Sequence, residues 1–143
     1  MARITGQIVI ERTAQEVFDF VSDERNEPQY NPQMLSVEKL SRGPIGSGTQ
    51  FRAQMKSGRR TVPVLVEFTA FERPGRLGSH SSFSGVTIDG ELTFKPRDGG
   101  TLLRWTWDVA PTGLMRLLAP IVTYMGRRQE QRIWSELKRC LET

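Results

Sequence analysis

A chain of 143 residues has room for one hydrophobic core, so a single domain over residues 1–143 is expected. With 37% hydrophobic and 25% charged residues the composition excludes a disordered chain. No apolar run reaches the roughly 18–20 residues that span a bilayer, so stable membrane insertion is excluded too. The net charge of +4 is carried by isolated pairs, Arg59-Arg60 and Arg127-Arg128, among interleaved acids, and no nucleic-acid partner is expected.

The first residues, Met1 to Gly6, carry one basic side chain and lack the apolar stretch of a secretory signal. Cys140 is the only cysteine and has no partner within the chain. A cytoplasmic location is the expectation from both.

Residues 3–11 read as a first strand ending in Ile8-Val9-Ile10. Thr13 with Glu16 three residues on is a capping-box pattern, opening a short helix with Val17, Phe18, Phe20 and Val21 on its buried face. Glu24 to Tyr30 reads as a second short helix that Pro32 stops, because the residue before a proline avoids helical geometry.

Strands follow. Residues 35–41 alternate, and Gly43-Pro44-Ile45-Gly46-Ser47-Gly48 is a turn by composition. Residues 49–56 place Thr49, Phe51, Ala53 and Met55 on one face, opposite Gln50, Arg52, Gln54 and Lys56. In residues 60–72, Val62, Val64, Val66 and Phe68 share a face, and Pro63 predicts an edge position or a bulge. Residues 76–84 and 86–95 continue the series, and Arg97-Asp98-Gly99-Gly100 is a hairpin signal before a strand at 101–109. Short turns between successive strands imply a curved antiparallel meander.

The last segment changes period. Leu114, Leu117, Leu118, Ile121, Val122, Met125, Ile133, Leu137 and Leu141 recur at helical spacing. Arg116, Arg127, Arg128, Glu130, Arg132, Glu136 and Arg139 are assigned to the opposite face. Pro120 is expected to kink or divide this helix.

The order is therefore strand, two short helices, about six further strands and a long C-terminal helix. With the run from Ile8 to Phe18, the chain resembles the START-like superfamily, in its polyketide cyclase/dehydrase-like (SRPBCC) branch. Ser22-Asp23, Tyr30-Asn31-Pro32, Gly46-Ser47-Gly48-Thr49, Glu72-Arg73-Pro74 and Gly100-Thr101-Leu102-Leu103-Arg104-Trp105 carry the resemblance further. It covers nearly the whole chain. It implies an α+β helix-grip fold: a curved antiparallel sheet of six or seven strands around the C-terminal helix, with a ligand cavity between them. Many members have Trp where this chain has Tyr30, which keeps an aromatic and adds a hydroxyl.

Such a cavity would be lined from the strands by Phe51, Met55, Val64, Phe68, Leu92 and Trp107, and from the helix by Leu117, Leu118, Ile121 and Met125. Each of these is equally an ordinary core residue. His80, the only histidine, is a weak candidate for a catalytic base. Its strand phase opposes Leu77 and Phe83, which favours a surface position. Arg104, Thr106 and Asp108 alternate away from Trp105 and Trp107 and read as cross-strand surface pairs; a reversed phase would make Arg104 and Asp108 internal anchors. One His and one Cys are too few for a metal centre, no phosphate-binding loop is present, and no cofactor is expected.

The favoured function is binding of a small hydrophobic molecule, such as a lipid, a polyketide or an aromatic metabolite. The alternative is an enzyme of polyketide cyclase or dehydratase type using the same cavity, disfavoured because no inward acid–base pair is visible. A weaker reading docks Leu114-Met115-Arg116-Leu117-Leu118 and Tyr124 with Arg127-Arg128 on a membrane surface or a partner. Monomer and homodimer are both compatible with the sequence.

Overall fold

Alternation near the N-terminus does what it predicts. The computed structural model describes residues 2–143 and opens with strand β1 (Ala2–Ile10), which turns Ile4 and Ile10 inward. Helix α1 (Ala14–Val21) then starts on the expected capping box. Thr13 Oγ1 accepts from the Glu16 amide at 3.2 Å, and the Glu16 carboxylate accepts from the Thr13 amide at 3.4 Å. Val17, Phe18 and Val21 are buried. A 3₁₀ helix, Glu24–Gln29, follows, capped by the Asp23 side chain.

The remaining strands are β2 (Met34–Lys39), β3 (Gln50–Ser57), β4 (Arg60–Glu72), β5 (Arg76–Phe83), β6 (Val86–Arg97) and β7 (Gly100–Pro111). They form one antiparallel sheet in the order β1-β7-β6-β5-β4-β3-β2. The count is seven, because β1 adds itself to the last strand of the meander. Pro63 lies in a central strand, yet its setting is locally an edge. Pairing of β4 with β5 begins only at Leu65, so beside Pro63 no second neighbour requires an amide proton.

A 3₁₀ turn, Gly113–Leu118, leads into helix α2 (Ala119–Glu142). Pro120 does not kink this helix. It stands in the first turn, where its missing N–H costs no intrahelical bond, so it divides the segment and starts α2. At ~1.5 Å per residue α2 runs for about 36 Å over the inner face of the sheet.

The core lies between that face, α1 and the second half of α2. Phe18 meets Phe71 and Phe94 edge-on at 5.1 and 5.2 Å, and Trp105 stacks on Trp134 at 5.9 Å. Two glycines permit this closeness. A Cβ on Gly6 would sit 2.2 Å from the Trp105 indole, and one on Gly126 would sit 2.9 Å from Ile4 Cδ1.

The phase of the C-terminal helix differs from the sequence expectation. Ile133, Trp134 and Leu137 are its buried residues, whereas Leu117, Leu118, Ile121 and Met125 are 80%, 45%, 57% and 62% exposed. The cause is rotational: Ile121 and Leu137 lie about 160° apart around the axis. The apolar positions form two stripes: the one through Val122, Ile133 and Leu137 faces the sheet, and the one through Leu117, Ile121 and Met125 faces outward.

Candidate functional site

Glu24 and Glu27 are three residues apart in a 3₁₀ helix, which has three residues per turn, so their side chains share one side. That side carries the carboxyls into the protein, within hydrogen-bonding reach of each other. Glu130 reaches the same region from α2. It is in phase with Trp134 and Leu137 at positions i, i+4 and i+7, and so belongs to the inward stripe and not the solvent face expected for it.

Tyr30, 3% exposed, packs between Phe20 and Trp134 with ring centroids 6.0 Å from each. Its hydroxyl feels the negative charge of Glu27, Glu24 and Glu130. Three acids, a tyrosine and two indoles thus converge under α2. None of the three acids has a basic ion-pair partner among the described residues.

Loss of water raises the affinity of these carboxyls for protons. Burial pushes Glu130 up to about 8, assisted by the nearby charge of Glu27 and opposed by the indoles of Trp134 and Trp107. Glu24 is raised well above the usual carboxylate range by burial, then by the charge and hydrogen bond of Glu27. Burial also raises Glu27, against the hydrogen bonds it receives from Glu24 and Asn31. All three carboxyls therefore hold their protons more firmly than a hydrated carboxyl does, Glu24 more strongly raised than Glu27. Burial raises the Tyr30 hydroxyl as well, so it stays a phenol.

The donors are not all satisfied. Trp107 Nε1 and Trp134 Nε1 are buried and point toward the Glu130 carboxyl, close enough to favour its charged form but without a well-formed hydrogen bond. Each orphaned buried N–H costs ~1–3 kcal/mol unless something accepts from it.

A cleft of about 340 Å³ opens beside this cluster, between Asn31-Pro32-Gln33 and the α2 residues from Tyr124 to Ile133. Asn31 links the two: it walls the cleft, and its Nδ2 donates to Glu27 Oε2 at 3.1 Å. Arg128 and Arg132 stand on the α2 wall. A second depression of about 500 Å³ lies near the β5–β6 turn, lined by Pro63, Leu65, Phe83 and their neighbours. Arg52 is its one charged side chain.

The predicted lining residues divide by element. Phe51, Val64, Phe68 and Leu92 are buried on inner strand faces, with Met55 and Trp107 half-buried beside them. Leu117, Leu118 and Ile121 point outward, and Met125 alone of the ten walls the 340 Å³ cleft, near its solvent side. His80 is exposed on the outer face, where its Nδ1 pairs with Asp89, far from the carboxyl cluster in the strand alternation. Arg104 bonds Gln7 and Asp108 bonds Arg3, also outside. Among the described residues no group of His, Cys, Asp and Glu is arranged to hold a metal ion.

The sequence profile described as polyketide cyclase / dehydrase and lipid transport matches residues 1–142. The chain belongs to this family. No curated protein matches it in sequence. Its fold is shared with solved structures of low identity. The protein TTHA0849 from Thermus thermophilus is 18% identical with a TM-score of 0.81, covering 96% of this chain and 95% of the other. Ara h 8.0201 is 17% identical with a TM-score of 0.76 over the same shares, 96% and 95%. A START superfamily protein from Mycobacterium smegmatis is 16% identical with a TM-score of 0.74, over 98% and 94%. Family membership and these likenesses confirm the helix-grip architecture, a seven-stranded antiparallel sheet with a long C-terminal helix.

Proposed function

We propose that this family member binds a small amphipathic molecule between the sheet and α2. The molecule would enter by the cleft between Asn31-Pro32-Gln33 and α2, with its polar end toward the Glu24, Glu27 and Glu130 cluster. One observation carries the reading. Trp107 and Trp134 hold two buried indole N–H groups that make no well-formed hydrogen bond and have only the Glu130 carboxyl beside them, and a cleft within the size range of small-ligand pockets opens nearby, at Asn31 and Ile133. A carbonyl or hydroxyl oxygen of a ligand would complete them. A lipid, a polyketide or an aromatic metabolite would each supply such an oxygen.

All three tryptophans of the chain belong to this region, since Trp105 stacks on Trp134 and Trp107 borders Glu130. Intrinsic fluorescence is therefore a direct reporter. Native mass spectrometry of protein purified from its own host should show a retained molecule of defined mass, and adding that molecule back should shift the tryptophan emission. An empty protein whose emission ignores hydrophobic probes would sink the proposal.

A second reading is enzymatic, and the carboxyl pair favours it. Burial raises Glu24, Glu27 and Glu130 together, Glu130 to about 8, so carboxyls able to give and take a proton near neutral pH lie close to the cleft, joined to it by Asn31. A cyclisation or dehydration of a poly-carbonyl substrate needs such groups, and His80 with Asp89 offers them only on the exposed outer face. Glu27→Gln and Glu130→Gln separate the readings. As an enzyme, the protein loses turnover of a poly-carbonyl substrate while affinity stays within a few-fold. As a binding protein, it turns nothing over in either form.

A further inference from the structure

The first half of the C-terminal segment is held in place by one face only. Met115 and Val122 pack on the cluster of Ile4, Val86 and Val109, and Gly126 sits against Ile4. On the other side Leu114, Leu117, Ile121 and Met125 are 86%, 80%, 57% and 62% exposed, with Tyr124 at 61% beside them. Isolated exposed leucines need no explanation, but a contiguous set on one anchored segment does.

The charges nearby are of one sign. From Gly113 to Arg128 the only ionic side chains are Arg116, Arg127 and Arg128, all exposed, and no acid interrupts them. That argues against a second copy as the occupant, because a two-fold contact through this face would bring the arginines of both copies together. It argues for a surface that is negative and apolar at once.

We infer that this face docks on the surface of an anionic lipid bilayer, with Leu114, Leu117, Ile121 and Met125 in the acyl boundary and the three arginines at the headgroups. The placement has a consequence for the cleft. Tyr124, Met125 and Arg128 belong both to the exposed face and to the cleft wall, so docking would set the cleft mouth against the bilayer. This consequence rests on the binding reading above: an amphipathic ligand would pass between membrane and protein without crossing water. The docking itself does not depend on it.

Flotation of the full chain with phosphatidylcholine vesicles, with and without phosphatidylglycerol, tests the inference. The protein should float with the phosphatidylglycerol vesicles at low salt and should be released as salt is raised. Leu117→Asp combined with Ile121→Asp should lower binding by about ten-fold or more. Arg116→Glu combined with Arg127→Glu should do the same for phosphatidylglycerol vesicles. These four positions are exposed, so circular dichroism and thermal unfolding should match the parent protein.

No flotation at low salt would overturn the inference. So would equal flotation with pure phosphatidylcholine, or a concentration-dependent dimer in gel filtration that the double Asp variant disperses. The cargo reading is tested separately without vesicles by retained mass and tryptophan emission. Flotation with an empty, unresponsive protein would leave docking standing and remove the cargo; a responsive protein that never floats would do the reverse.

Discussion

A carboxyl group held away from water keeps its proton, and Glu130 shows what that does to stability. In the unfolded chain it titrates near the ordinary value of 4.5, and in the folded protein near 8. Between those limits the folded state holds a proton that the unfolded state has released. Stability therefore falls as pH rises from about 4.5 to about 8, and this contribution is constant outside that window. Glu24 and Glu27 act with the same sign. Asp19, Asp23 and Glu142 act oppositely, lowered by Arg73, Arg25 and Lys138, and their effect appears only in more acidic solution. Glu130→Gln removes one ionisable group from the window and keeps its shape. We expect its urea-unfolding free energy to vary less between pH 5 and 8.5 than that of the parent, by on the order of 3–4 kcal/mol. Parallel profiles for the two proteins would show that Glu130 is hydrated and ordinary.

At the level of elements, α2 is one helix with two environments. Leu137 is fully buried and Leu117, in the turn before the helix, is 80% exposed. Leu137→Ala should cost roughly 2–5 kcal/mol because a cavity is left in the core. Leu117→Ala should change stability by no more than about 0.5 kcal/mol. Equal losses in chemical denaturation would contradict the placement of the helix. The same contrast explains what was legible in the sequence. Strands were readable because alternation has a single inward phase, as in Phe51 with Ala53 and Val64 with Phe68. The capping box at Thr13 was readable because it is purely local. The helix was not, since Ile121 and Leu137 fit one list of apolar positions while pointing in different directions. Glu24, Glu27 and Glu130 were hidden for another reason. A charged residue reads as solvent-facing until a partner element closes over it, and only the i, i+4, i+7 spacing of Glu130, Trp134 and Leu137 hinted otherwise.

For the molecule as a whole, the decisive relation is between a sheet with one bare face and the helix that covers it. Ile133, Trp134 and Leu137 are the buried residues α2 contributes, and Trp134 lies between Trp105 and Tyr30. Burying three such side chains is worth roughly 2 kcal/mol each, comparable with the ~5–15 kcal/mol total of an ordinary domain. The covering helix also supplies Glu130 and one wall of the cleft, so folding and site formation are the same event. A chain ending at Thr112 keeps every strand and the β1–β7 pairing in its sequence, but exposes Trp105, Tyr30 and the inner sheet face. It should retain strand signal in far-ultraviolet circular dichroism while losing its near-ultraviolet aromatic bands and binding hydrophobic dye, the behaviour of a collapsed state without fixed packing. Sharp near-ultraviolet bands and a cooperative thermal transition in the truncated chain would mean that the sheet and α1 form a core unaided. In that case α2 would be free to move as a cover over the site, and the buried acids would titrate near their ordinary values whenever it lifted.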